Sequence, residues 1–227
     1  MTSKMNVSEY LQRFENARST DDRTRIFTEF ENACPSPSEL IEFYNAWGKV
    51  YDVDMQNVKY VNPRLVAGEV SALHGNTKDI SILDVGAGTG EGGKSLKSQG
   101  FVHIDALDAS SGMLDLARKL GVHRQFFCEL IQEKIHSVKD ESYDVVMSSG
   151  SFYPRHLEGK HVPVLLNAVK KGGHLIISSC PHNDNDMNVG GEVQRLKEAN
   201  MLRVIKQAYV PDWYNGDDGS VWVLQRL

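Results

Sequence analysis

Gly86, Gly88 and Gly90 occupy alternate positions in the run Leu83-Asp84-Val85-Gly86-Ala87-Gly88-Thr89-Gly90. Glycines spaced in this way let the backbone turn through positive φ and leave nothing projecting from it. A ligand can then lie against bare main chain at the start of a helix. The spacing is not the G-x-G-x-x-G of a dinucleotide turn, and the next residue is Glu91. A carboxylate at that helix mouth suits a pyrophosphate poorly and a zwitterionic or cationic ligand well. Asp108 stands eighteen residues past Gly90, close to where a ribose-binding acid is expected. Turn and acid together point to an adenosine-bearing ligand without a pyrophosphate, and S-adenosylmethionine fits that description.

Positioning these residues takes a strand, a turn and a helix in series. Ile80 to Val85 is a short apolar run with β-branched residues and predicts a buried strand. Glu91 to Gln99 reads as the helix, closed by Gly100, and Val102 to Asp108 as a second strand ending in the acid. Ser110 to Leu120 predicts a helix with Met113, Leu114 and Ala117 inward and Gly121 after it. Further strands are expected at 124–128, 143–147 and 174–179, with a helix inside 157–171 and another over 189–199. Strands at 201–210 and 220–226, joined by a turn-rich loop over 211–219, close the chain. Alternating strands and helices imply a doubly wound α/β fold, a mostly parallel sheet of about seven strands. The last two strands break the alternation and predict an antiparallel edge hairpin.

Helices are expected ahead of this unit. Val7, Tyr10, Leu11 and Phe14 form one apolar stripe, with Asn6 and Glu9 as a capping pair, and Ile26, Phe27 and Phe30 mark a second helix ending before Pro35. Ser36-Pro37-Ser38-Glu39 is a helix start, after which Leu40, Tyr44, Trp47 and Tyr51 recur on one face. That stripe reads either as core or as a lid over the ligand, since aromatic faces attract a sulfonium by about 0.5–2 kcal/mol. Asn62-Pro63 opens a further helix with Leu65, Val66, Val70 and Leu73 inside. The division expected is an N-terminal helical cap over 1–56 and a ligand-binding domain over 57–227.

Composition narrows the classes. The 227 residues suffice for one sizeable core, and 41% hydrophobic with 24% charged residues is ordinary for a globular protein. The net charge of −5 and the lack of a Lys/Arg cluster disfavour nucleic acid and anionic membranes as partners. Cys34, Cys128 and Cys180 are odd in number and far apart, which suggests buried free thiols in a reducing compartment. Lys4, Glu9, Arg13 and Glu15 leave no apolar signal core, and no apolar run approaches membrane-spanning length. A cytoplasmic protein is expected, with a nuclear one as the alternative. Asp184, Asp186 and Asn188 suggest a calcium loop, but Val189 and Arg195 stand where that loop requires Gly and Glu. No metal is expected.

The chain resembles the class I S-adenosylmethionine-dependent methyltransferases from about Tyr44 onward. The resemblance rests on Leu83 to Gly90, then Leu107-Asp108-Ala109-Ser110, Met113-Leu114, Tyr143-Asp144-Val145-Val146 and Lys171-Gly172-Gly173-His174-Leu175-Ile176. Trp47, Tyr51-Asp52 and Asp54 resemble, more narrowly, the methyltransferase-like proteins of the Williams–Beuren region group. The resemblance implies a Rossmann-like methyltransferase fold with S-adenosylmethionine as cofactor. Gly86, Ala87, Gly88 and Gly90 would line its methionine half, and Asp84 would steady the loop or reach the amino group. Asp108 would grip the ribose hydroxyls, and Ala109 and Met113 would flank the adenine. Cys128 precedes Glu129, which would accept from the adenine amino group although the family more often has Asp there, and Leu130 would pack on the ring. Ser149 would present its backbone near the sulfur, and Tyr44 and Tyr51 would cover the ligand. Taken singly, Asp84 serves as well for a turn cap and Asp108 for a helix cap.

Transfer of a methyl group from a sulfonium is an in-line displacement in which positioning does most of the work. A general base helps only where the acceptor must lose a proton, and Tyr153 and His156 are the candidates. Ser148-Ser149-Gly150-Ser151-Phe152-Tyr153 lacks the N-P-P-Y pattern of amide and adenine methylation, which leaves small molecules and some protein acceptors. A non-catalytic S-adenosylmethionine-binding module and an NAD-dependent oxidoreductase are the alternatives. The acceptor and the oligomeric state are not legible.

Overall fold

The computed structural model describes residues 6–180, 188–214 and 216–227. Lys4, Asp184, Asp186 and Asn215 lie outside them. Four helices come first: α1 (Val7–Asn16), α2 (Thr20–Asn32), α3 (Pro37–Asn57) and α4 (Asn62–His74). Then follow β1 (Ser81–Val85), α5 (Glu91–Ser98), β2 (His103–Asp108), α6 (Ser111–Leu120), β3 (Phe126–Cys128) and β4 (Tyr143–Phe152). A 3-10 turn (Gly159–His161), α7 (Val162–Ala168), β5 (Val169–Ser179), α8 (Val189–Glu198), β6 (Leu202–Tyr214) and β7 (Asp217–Arg226) complete the chain.

The sheet has the order β3-β2-β1-β4-β5-β7-β6, with the first five strands parallel and β7 antiparallel to both neighbours. Side chains alternate across it as the pleat requires. Ile82, Ile104, Val145 and Met147 face α4 and α5, where Val66, Val70 and Leu96 pack on them. Leu83, Leu107, Val146 and Leu175 face the opposite layer, against Leu165 of α7 and Val193 and Leu196 of α8. Strand order reverses between β1 and β4, so the connections after those strands splay apart and leave a crevice.

Local signals set the N-terminal helices. Asn6 and Glu9 close one capping box and Ser36 and Glu39 another, with Pro37 in the first turn of α3. Asp54 of α3 is fully buried, and it accepts from Arg23 Nε and Nη2, Thr20 Oγ1 and Trp47 Nε1 at 2.5–2.9 Å. A buried carboxylate so fully bonded pins α2 to α3. Phe14, Phe27, Phe30, Phe43 and Trp47 pack around it as a separate aromatic core.

Several expectations from the sequence are corrected. β4 runs beyond Met147 to Phe152 through a register shift between Ser148 and Phe152, so Ser149 to Ser151 bulge out of the ladder. β5 begins at Val169, which was expected in the preceding helix, and it absorbs Gly172 as an irregularity with φ 79°. β6 continues through Pro211 to Tyr214, where a turn was expected; an edge strand tolerates the missing N–H. Leu73, expected inside α4, is exposed, because that helix buries only the face carrying Val66 and Val70.

Candidate functional site

At the C-terminal ends of the parallel strands lies a cavity of about 1000 Å³. Gly86 and Gly88 from the loop after β1, Asp108 at the end of β2 with Ala109 after it, and the Ser149–Ser151 bulge of β4 form its floor. Gly86 and Gly88 have φ of 69° and 55°, so the glycines are required by backbone conformation. A Cβ on Gly86 would also run into Ser151 Oγ, and one on Gly150 into the Tyr60 hydroxyl. Met113 of α6 and Glu129, Leu130 and Ile131 beyond β3 make one side wall.

Asp108 ties the floor together. Its Oδ2 accepts from Gly88 N–H at 2.8 Å and its Oδ1 from Ser110 N–H at 2.8 Å. Burial raises its pKa against those two bonds. Ser110, not Asp108, caps α6, through its Oγ on Met113 N–H at 3.1 Å. The carboxylate is thus aimed at the cavity by backbone bonds that still leave it acceptor capacity.

Helix α3 forms the roof. Asn45 Oδ1 accepts from Ser110 Oγ at 2.7 Å and Gly112 N–H at 2.9 Å, and Asp52 Oδ1 accepts from Thr89 Oγ1 at 2.5 Å. Between these two latches Tyr44 and Tyr51 face the cavity, while Trp47 is 1% exposed in the aromatic core. The stripe that read as either core or lid is therefore divided between the two. Tyr60, which the sequence reading passed over, adds a third phenol to the lining. Burial raises the pKa of all three, so they stand as neutral donors and acceptors.

Beyond Ser149 the cavity continues between Tyr44 and the loop after β4. His156 Nδ1 is 2.8 Å from the Pro154 carbonyl, which can only accept, so that nitrogen carries the proton. Nε2 then accepts from the Tyr44 hydroxyl at 2.8 Å. Burial lowers the pKa of His156, which keeps the imidazole neutral near pH 7.

Of the residues the sequence put at a site, Tyr44, Tyr51, Gly86, Gly88, Asp108, Ala109, Met113, Glu129, Leu130, Ser149 and His156 line this one cavity. Five are placed elsewhere. Asp84 is 1% exposed beneath α5, 3.5 Å from the buried His123 Nε2, because strand alternation turns it away from the cavity. Ala87 packs with Ala106 and Leu114, and Gly90 is the left-handed N-cap of α5 against Ala117. Cys128 is exposed, its Sγ 3.7 Å from the Ala109 carbonyl. Tyr153 stacks on Trp213 at 6.3 Å. Glu129 lines the cavity but its two oxygens accept from His136 and Ser137 N–H at 2.6 and 2.8 Å. Burial pushes its pKa up, yet these bonds and the nearby imidazole more than offset that and hold it low. Its first task is to fold the 130–137 loop back on itself.

Comparison with known proteins agrees with this geometry. Residues 82–173 match a methyltransferase-domain family model. Over 172 residues, 74% of this chain and 69% of the relative, the sequence is 28% identical to human methyltransferase-like protein 27. It is 25% identical over 176 residues, 75% of this chain and 67% of the relative, to a ubiquinone biosynthesis O-methyltransferase of Rickettsia canadensis. The fold is shared with a TehB-like S-adenosylmethionine-dependent methyltransferase from Corynebacterium glutamicum, with a TM-score of 0.58 at 19% identity over 80% of this chain and 99% of the other. The chain carries a methyltransferase domain over residues 82–173 and is similar to S-adenosylmethionine-dependent methyltransferases. The matched model and these relatives are named for methyl transfer, not for hydride transfer. No helix among the described residues is long and apolar enough to cross a membrane.

Proposed function

We propose that the chain methylates a hydroxyl oxygen of a small acceptor held between α3 and the loop after β4. The observation that carries this reading is the Tyr44–His156 pair, a neutral imidazole of fixed tautomer bonded to a phenol on the cavity wall. The relative named for O-methylation points the same way.

The floor fits the cofactor: the glycine turn lacks the Cβ atoms that would fill it, and Asp108 lies where a ribose diol can meet it. Gly86, Gly88 and Ser149 would hold the amino-acid half, Asp108 the ribose, and Ala109, Met113 and Leu130 the adenine. Bound there, S-adenosylmethionine supplies an electrophilic methyl group on a sulfonium. Tyr44, Tyr51 and Tyr60 offer neutral aromatic surface to a cation and exclude water from it. The acceptor hydroxyl donates to Tyr44 Oη. Burial disfavours a lasting phenolate on Tyr44. The proton therefore passes on in the same step from Tyr44 to His156 Nε2, and the imidazolium keeps its Nδ1–H bond to the Pro154 carbonyl.

His156→Asn and Tyr44→Phe test this. Each is expected to lower kcat by about 10²–10⁴-fold, the usual contribution of a positioned base, with cofactor affinity nearly kept. In the parent protein kcat is expected to fall on the acid side, below the ordinary histidine range, because burial lowers the His156 pKa. Full activity in both variants refutes the relay.

A further inference from the structure

We infer that Arg155 selects an acceptor carrying an anionic group, so that the substrate class is a hydroxylated carboxylate or a close equivalent. This inference rests on the hydroxyl-acceptor reading for the use of the cavity's outer half.

Arg155 lines the cavity one residue before His156, in the left-handed region at φ 68°. That conformation is uncommon for a residue with a Cβ and is retained here in a functional loop. The other basic side chain on this wall, Lys160, is neutralised by Glu158 at 2.7 Å. Among the described residues no carboxylate forms an ion pair with Arg155. One acid that feels its charge is Glu31 of α2, whose Oε1 is buried without a hydrogen-bond partner. Burial pushes the Glu31 carboxyl up to about 8, so it stays protonated at neutral pH and does not cancel the guanidinium.

The outer cavity therefore presents an exposed guanidinium with no ion-paired carboxylate among the described residues, next in sequence to His156. Leu40, Ile41 and Pro163 add apolar surface to the same cavity. A guanidinium in such a place pairs best with a planar oxyanion through two parallel N–H bonds. An acceptor with its hydroxyl at Tyr44 and a carboxylate at Arg155 would be fixed at both ends, which is what an in-line transfer needs.

Two probes separate charge from shape: 3,4-dihydroxybenzoate and its uncharged methyl ester. Binding of each to the protein loaded with S-adenosylhomocysteine is read by calorimetry, and transfer to each by label from S-adenosylmethionine. The parent protein is expected to bind the carboxylate at least about tenfold more tightly than the ester, as one charge-assisted pair allows. Arg155→Gln is expected to bring that ratio close to one, and Arg155→Lys to restore part of it. A ratio near one in the parent protein overturns the inference. So does a ratio that Arg155→Gln leaves intact, or failure of both probes to bind. Selective binding without transfer keeps the anion preference of Arg155 and overturns the hydroxylated class; transfer without selectivity keeps the hydroxyl reading and overturns the role of Arg155.

Discussion

Asp108 shows how a single side chain serves fold and site at once. Its two oxygens take the N–H groups of Gly88 and Ser110, which are separate turns of the chain, and so fix the glycine loop against the end of β2. Asp108→Ala removes the acceptor of both. Each deserted N–H costs about 1–3 kcal/mol if water does not replace it, so a lower thermal midpoint is expected. Loss of the ribose grip is a separate effect, expected as a fall of about a hundredfold in S-adenosylmethionine affinity by calorimetry. Unchanged affinity in a destabilised variant would leave Asp108 as a structural clamp only.

The element that matters most is α3. It is held across the site by Asn45 at one side and Asp52 at the other, while the Asp54 cluster secures it to α2. The latches reach the glycine loop at Thr89 and the start of α6 at Ser110 and Gly112, whereas the cluster lies within the helical layer. Cutting a latch should therefore loosen the roof without unfolding it. Asn45→Ala and Asp52→Ala are each expected to speed cofactor release about tenfold, the equivalent of roughly 1.4 kcal/mol, in stopped-flow fluorescence. Release at the parental rate in both would mean that the cofactor leaves without α3 moving.

For the molecule as a whole, buried titratable groups set opposing pH slopes. Burial lowers the pKa of His156 and His161 in the folded protein. The unfolded chain binds their protons first, so stability is lost as pH falls below the ordinary histidine value. Glu31 acts in the other direction. Its folded pKa is raised to about 8, so its contribution is full below the unfolded carboxylate value and is lost as pH rises through 8. Glu31→Gln is expected to stabilise the protein at pH 8, by about 1–3 kcal/mol in denaturant titration, and hardly at all at pH 5. An equal change at both pH values would place Glu31 in solvent.

The strand, the glycine turn, the acid ending β2 and the caps of α1 and α3 were legible in the sequence, whereas Ser19 and Ser110 as caps were not. Each depends on neighbours within a few residues: φ sign at Gly86 and Gly88, a Ser or Asn three positions before a Glu, two-residue alternation along a strand. Tertiary structure alone decided which of these groups meet. Tyr44 and His156 lie 112 positions apart and share a hydrogen bond that no local pattern announces. Tyr60 and Arg155 join the cavity for the same reason. Asp84 leaves it because the pleat of β1 turns that residue under α5, and Glu129 is taken up by amides of its own loop. Chain-local conformational preference writes the elements, but the face each side chain shows to the ligand is set by long-range packing.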